Sequence, residues 1–542
     1  MRFSLFYELQ LPRPWNEDSE HRLIDEALEQ IRLADKLGFH CVWAPEHHFL
    51  EEYAHSSASA VWLAAAAAQT EKIRIGLGIM PLPAAFQHPA RVAETAATLD
   101  LISHGRVELG TGETSSDMEL GGFHVNRDTK RAQWEESLDV VARMMVEEPF
   151  TGHSGQYLEI PARNVIPKPR QKPHPPLWVA CSQRETIRVA AKRGLGALSF
   201  SFAVPDEAKR WVDEYYELIA SDECAPAGHV VNPNFALALP LHVNTDSRLA
   251  RARGGPGARF FGYALAHYYA FGEHKPGVTD IYADFKAAGS RGDLNSGDAT
   301  SAIGTPDEVT DLIRAYENAG VDELLFAVQV GATKHEHILE SLELFAKEVM
   351  PEFEERRPGI EQKKAERLAG AISKPKGRQA APRKPADEEA PVVTLTYQAL
   401  KKDATRGAEL GLQRLVARSS DERIEQIAGS SLGLKAMFKA LESRYVPANA
   451  QGFTGQIQYD LKYEDGRTTS WSLALDSRRA KATNAPAVDP ALTISATIAD
   501  FVRMGTGDLA PAKALLTGRI DIAGDLVIAA RLGEMFGQAS PF

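Results

Sequence analysis

Glu46, His47 and His48 stand side by side, directly after the short apolar run Cys41-Val42-Trp43-Ala44-Pro45. A carboxylate and two imidazoles in three successive positions can take up and return protons, and imidazole titrates close to neutral pH. On extended backbone, neighbouring side chains point to opposite sides, so one histidine faces a pocket while the other packs or supports the loop. Adjacent histidines on a loop do not by themselves specify a reaction. Their position at the end of a strand is what makes them candidates, because barrel enzymes build their sites there. Gly110-Thr111-Gly112 is only a fragment of a dinucleotide-binding fingerprint and carries little weight alone.

The elements that must position these groups alternate. Short apolar runs at Phe3 to Tyr7, from Cys41, and at Ile73 to Met80, Val107 to Gly110, Leu177 to Ala180, Ala197 to Phe202, Phe235 to Val243 and Leu324 to Val328 read as strands. Amphipathic stretches between and after them read as helices: Arg22 to Leu37, Ser57 to Thr70, Pro89 to Ile102, Lys130 to Glu147, Gln183 to Lys192, Pro205 to Ile219, Pro306 to Ala319 and His335 to Val349. About eight such alternations over roughly 350 residues predict an α/β fold, a single TIM-type (β/α)8 barrel over 1–355. Two stretches interrupt the rhythm. Phe150 to Pro176 is proline-rich and predicts a hairpin and an ordered loop. Gly254 to Gly304 carries Tyr263, Tyr268, Tyr269, Phe271 and Tyr282, as a lid, a substrate wall or a self-burying excursion would.

From Arg356 to about residue 392 the charged, Pro- and Ala-rich sequence offers almost nothing to bury and predicts an extended tether. A second globular part, 393–542, follows as a smaller α+β domain. Its helices are expected around Tyr397 to Ala417, Gly433 to Tyr445, Ile498 to Met504 and Leu526 to Phe536, its strands at Gly455 to Tyr463, Thr469 to Leu475 and Leu492 to Ala496. It has no clustered catalytic residues, so it reads as a binding module whose chemistry would be an apolar cavity, or as a scaffold with a filled core.

The 542 residues exceed one ordinary core, and 44% apolar with 25% charged residues fit a water-soluble globular chain. A net charge of −12 argues against general affinity for nucleic acid or acidic membranes. Three scattered cysteines, Cys41, Cys181 and Cys224, give neither a disulfide framework nor a metal spacing, which points to a reducing, cytoplasmic setting. The N-terminal apolar run is too short for a secretory signal, and no apolar stretch is long enough to span a bilayer.

Taken together, Trp43-Ala44-Pro45-Glu46-His47-His48-Phe49, His88-Pro89-Ala90-Arg91, Ser103-His104-Gly105-Arg106 through Gly112, Ile303-Gly304-Thr305-Pro306-Asp307-Glu308-Val309 and Leu344-Phe345-Ala346-Lys347-Glu348-Val349-Met350-Pro351 resemble the bacterial luciferase family. The resemblance implies a flavin-dependent monooxygenase that uses reduced FMN and molecular oxygen. It casts His47 as the proton-handling catalytic residue, with Glu46 and His48 orienting its loop. Gly78, Ile79 and Met80, where the family commonly has a non-prolyl cis peptide, would meet the flavin ring, with Thr111 and Gly112 on the next strand. Cys181, Ser182, Gln183 and Arg184 would hold the phosphate where a strand ends and a helix begins, Ser182 serving as a cap as well. True luciferases carry an arginine after the Leu109-Gly110-Thr111 stretch, whereas Glu113 stands here, so light emission is not implied. Reduced flavin would come from a separate NAD(P)H-dependent reductase or, alternatively, from direct hydride transfer by nicotinamide. Some relatives instead transfer hydride from a deazaflavin. The alanine-rich stretch Ala64 to Ala68 lies where such barrels pair, and a homodimer is expected.

Phe453 to Tyr459 leading into Trp471-Ser472-Leu473, with Gly507-Asp508-Leu509 and Leu516 to Asp525, resembles the sterol-carrier-type lipid-binding domain. That resemblance implies an apolar, lipid-like or long-chain substrate presented by this domain, or a protein whose output is lipid carriage alone.

Overall fold

The computed structural model describes residues 1–200, 203–289, 301–372 and 415–536. Eight parallel strands close a barrel: β1 (Arg2–Phe6), β2 (Cys41–Ala44), β3 (Arg74–Pro81), β4 (Val107–Gly112), β5 (Leu177–Cys181), β6 (Gly196–Ser199), β7 (Phe235–Val243) and β8 (Glu323–Ala327). Their order around the barrel is β1 to β6 in sequence, then β7, then β8, which returns to β1. All are buried almost throughout, as strands covered by an outer ring of helices must be.

The helices start and stop where their sequences say they should. His88 caps the Pro89–Ile102 helix through its ring, accepting from the Ala90 N–H at 3.2 Å, with Pro89 at the first helical position. Thr305 and Glu308 form a reciprocal capping box on Pro306–Asn318. The Ser19–Leu37 helix ends on Gly38 at φ 92°, a conformation that suits glycine.

The interior of the barrel is not wholly apolar. Trp43 and Trp178 pack edge to face at 5.4 Å, and their indole N–H groups donate to Glu323 (2.9 Å) and Glu108 (2.7 Å). Those carboxylates are in turn paired with Arg2 and Arg74. The ring of Trp43 lies flat on β3, where a Cβ at Gly76 would fall 2.3 Å from it, so the close approach requires glycine.

Two features of the barrel unit depart from the expectation. Ser247–Ala266 is one long helix that runs into a π-helical turn, His267–Phe271, so the aromatic-rich stretch is largely helical. A shorter helix, Ile281–Gly289, follows, and 290–300 lies outside the described residues. The start of the expected tether is helical too: Met350–Ile372 continues through Arg356 and Pro358, held by ion pairs of Arg356 with Glu317 and Glu352 and of Lys364 with Asp322. The remainder of the tether, 373–392, and most of the expected helix Tyr397 to Ala417 lie outside the described residues, as do Ser201 and Phe202 of the sixth strand.

The chain divides into two compact units, Met1–Val392 and Val393–Phe542. The second has a five-stranded sheet made of β9 (Gly455–Lys462), β10 (Thr468–Leu475), β11 (Ala480–Thr483), β12 (Pro490–Thr497) and β13 (Ile520–Gly524), in the order β11-β10-β9-β12-β13. Only β9 and β12 run parallel. β11 and β13 were not foreseen, because Ala480–Thr483 is short and Ile520–Gly524 sits in a glycine-punctuated stretch. Helices Asp421–Ala428, Ser431–Arg444, Ile498–Thr506 and Leu526–Met535 supply apolar side chains to the same core, in which Phe438 stacks on Trp471 at 4.5 Å and on Phe501 at 5.3 Å.

Candidate active site

A cavity of about 1050 Å³ lies among residues that follow the C-terminal ends of the barrel strands. His47 and Glu46 line it, immediately after β2. His48 turns away: its ring packs against Phe123 at 4.9 Å, and its Nε2 lies 3.3 Å from Glu46 Oε1. The Glu46 carboxylate also accepts from Gln87, and its backbone N–H donates to the Ile79 carbonyl at 3.0 Å. The loop after β2 is thereby tied to the bulge in β3 where Gly78–Ile79 is a cis, non-prolyl peptide.

The His47 imidazole is held between two carboxylates. Its Nδ1 is 3.1 Å from Glu119, and its Nε2 is 3.7 Å from Glu8. Burial alone would lower the pKa of this ring, but Glu119 and Glu8 outweigh it and carry the value up to about 9. Conversely, burial would raise Glu119, yet the His47 ring and the Thr114 hydroxyl hold it below the usual carboxylate range. Glu8 behaves differently. Burial pushes it up to about 7, against the opposing pull of His47 and of the Tyr53 hydroxyl that donates to it at 2.9 Å. At neutral pH the group is thus an imidazolium flanked by one firm carboxylate and one that titrates.

Away from His47, Ser182, Gln183 and Thr186 line the cavity at the start of the Arg184–Lys192 helix, whose first turn has no side-chain cap. Lys130, Arg131 and Arg127 line it too, ion-paired with Glu113 and Asp117. Lys130 Nζ also donates to the Thr114 carbonyl at 2.5 Å, so Glu113 and the loop around it hold these cations in place.

The other expected residues divide. Gly78, Ile79 and Gly112 line the cavity. Met80, Thr111 and Cys181 are buried behind it; the Thr111 hydroxyl donates to the Trp178 carbonyl at 3.0 Å and accepts from Trp134 at 3.1 Å. Arg184 is half-exposed and ion-paired with Glu214 at 2.6 Å, so its charge goes to the neighbouring helix and the cavity takes its cations from Lys130 and Arg131. Sequence reasoning passed over Glu8, Glu119 and these basic residues. One signal was present: Arg127, Lys130 and Arg131 crowd the N-terminal end of the Lys130–Val146 helix, where the helix dipole disfavours cations unless an anion joins them.

The luciferase-like monooxygenase family profile matches residues 1–323, more than half of the chain. The chain belongs to the luciferase-like monooxygenase family. It is accordingly an oxidoreductase, and residues 434–537 match the SCP-2 sterol transfer family. The flavin-dependent trigonelline monooxygenase oxygenase component of Acinetobacter baylyi is 26% identical over 66% of this chain and 96% of its own length. Monooxygenase RslO1 from Streptomyces bottropensis superposes with a TM-score of 0.55 at 27% identity, over 65% of this chain and all of its own. The oxygenating constituent of 3,6-diketocamphane monooxygenase of Pseudomonas putida, solved with FMN, has a TM-score of 0.52 at 21% identity over 65% of this chain and 98% of its own, a likeness of fold. Among the described residues no helix is long and apolar enough to cross a membrane, and no group of three His, Cys, Asp or Glu side chains is placed to hold a metal.

Proposed function

We propose that the chain is the oxygenating component of a flavin-dependent monooxygenase, using reduced FMN from a separate NAD(P)H-dependent reductase together with molecular oxygen on an apolar substrate. The observation that carries this reading is the joint presence, in one cavity, of the Glu119–His47–Glu8 proton-handling group and an anion-accepting end. The residues suit a flavin mononucleotide. Ser182, Gln183, Thr186, Lys130 and Arg131 would hold its phosphate, where an uncapped helix start and an excess of cations favour an anion. Gly78, Ile79 and Gly112 would meet its ring, with the wall kept thin at Gly112, where a Cβ would fall 2.8 Å from Ile79.

Bound reduced flavin supplies the electrons with which oxygen is activated. The protein holds a proton on His47 and screens the site from water with aromatic side chains. Glu46 and His48 keep the His47 loop in place. In this reading the barrel carries the reaction, and the SCP-2-type unit from residue 393 binds or presents substrate. Two copies pair through the Ser59–Ala68 helix, on which Val61 is 73% exposed.

Titration of the full chain with FMN and with riboflavin tests the cofactor reading. FMN is expected to bind at least tenfold more tightly, and Lys130→Ala and Ser182→Ala to erase most of that difference. Preference for a deazaflavin coenzyme, or no flavin binding, would overturn it.

A further inference from the structure

Glu8 is 5% exposed, yet one of its oxygens is unused. Oε1 accepts from the Tyr53 hydroxyl, while Oε2 has no hydrogen-bond partner among the described residues; the nearest cation, His47 Nε2, is 3.7 Å away, beyond hydrogen-bond reach. A buried carboxylate oxygen without a donor is costly, on the order of 1–3 kcal/mol, and native interiors rarely leave one. This oxygen belongs to a side chain that lines the cavity. The surrounding wall is aromatic: Phe6, Tyr53, Phe261, Tyr268 and Tyr269 line the same space. Tyr53 sits 5.8 Å from Phe261 and 6.4 Å from Tyr268, ring centre to ring centre. Tyr268 and Tyr269 come from the π-helical turn, an irregularity that often marks a functional site.

We infer that Glu8 is a substrate-recognition residue, and that the site selects a planar aromatic molecule presenting one neutral O–H or N–H donor to Glu8 Oε2. This deepens the monooxygenase reading and rests on it. Flat rings fit among aromatic side chains by offset or edge contacts, which a saturated chain cannot make. A permanent cation is disfavoured because the protonated His47 stands beside the same oxygen. A ring without a donor leaves Oε2 unpaired and desolvated, so discrimination against it is built into the site. The chemistry described is that of a phenol or a heteroaromatic N–H compound, apolar over most of its surface.

Equilibrium binding to the FMN-loaded full chain at pH 8, above the value of about 7 to which Glu8 is raised, tests this with four probes: 4-methylphenol, 4-methylanisole, N-methylpyridinium and dodecanal. 4-Methylphenol is expected to bind at least tenfold more tightly than each of the others. Glu8→Leu should abolish its advantage over 4-methylanisole, and the near-isosteric Glu8→Gln should reduce it while preserving the fold. Equal binding of 4-methylphenol and 4-methylanisole, tightest binding of dodecanal or of the pyridinium, no binding of either neutral ring, or unchanged discrimination in both variants would each overturn the inference. FMN titration of the same samples separates the two readings: failure to load FMN sinks the flavin assignment, whereas normal loading without ring discrimination sinks only the role of Glu8.

Discussion

His47 has a carboxylate at each ring nitrogen, an arrangement that favours the doubly protonated form and commits the residue to giving up a proton before it can accept one. Activity that needs this proton should therefore fall as pH rises through about 9, the value to which Glu119 and Glu8 carry the ring against its burial. Rate measurements across pH in the presence of reduced FMN check this, and a flat profile from pH 7 to 10 would contradict it. His47→Ala should keep FMN binding and lose on the order of 10²-fold to 10⁴-fold in oxygenation, the usual worth of a positioned acid or base. Glu119→Gln tests the cause of the shift. It removes the larger carboxylate influence while still offering an oxygen to the His48 N–H, so the alkaline limb should move to lower pH. The same ring links pH to stability. An unfolded imidazole titrates near 6.5, so a folded value raised to about 9 stabilises the native state fully below 6.5, and that contribution is lost as pH rises through 9.

At the level of elements, the segment that follows the His47 loop also fastens the aromatic wall. Glu51 and Glu52 lie just after His47-His48-Phe49. The fully buried Glu52 accepts from the backbone N–H of Arg13 (2.9 Å), Ile281 (2.6 Å) and Tyr282 (3.1 Å), capping the Ile281–Gly289 helix from a distance in sequence. Glu51 accepts from the Gly277 N–H at 2.7 Å and meets His274 at 3.3 Å. Glu52→Ala would strand the buried Ile281 N–H and leave the half-buried Arg13 and Tyr282 N–H groups to water, and should destabilise the barrel unit by about 1–3 kcal/mol, with proteolysis appearing first near residues 272–281. Equal melting temperatures and unchanged cleavage would refute that role. This fastening also marks the limit of what the sequence disclosed. Strands such as Phe235–Val243 and helices such as Pro306–Asn318 were legible because apolar period and caps are local signals. The Ser247–Ala266 helix was not, since its glycines and Pro256 read as breakers, whereas tertiary packing against His242 and Val330 makes Gly254 and Gly257 advantageous. Glu8, Glu51, Glu52 and Glu119 were invisible for a related reason: each acquires its role from a partner tens to hundreds of residues away. The Arg184–Glu214 pair shows the converse, a cation that sequence position alone assigned to the phosphate and that a neighbouring helix claims.

For the whole molecule, every residue of the proposed flavin site lies in the unit Met1–Val392, while the second unit has a separate apolar core built on Phe438, Trp471, Tyr459 and Phe501. A cavity made at Phe438 should therefore act on one core only. Phe438 is fully buried and stacks nearly parallel to Trp471, with an interplanar angle of 4°. Phe438→Ala removes that stack along with the Phe501 contact and should cost about 3–5 kcal/mol, a large fraction of the roughly 5–15 kcal/mol that holds a domain folded. Calorimetry of the full chain is expected to show two transitions, with only one lowered by the substitution, and FMN affinity unchanged. If the SCP-2-type unit presents substrate, the variant should also need more substrate to reach half-maximal rate while keeping its rate at saturation, because the chemistry and its proton source stay in the barrel. A fall in saturated rate with unchanged FMN binding would mean that the second unit contributes to the reaction itself, and unchanged kinetics with a melted second unit would show that its apolar core serves some purpose other than substrate delivery.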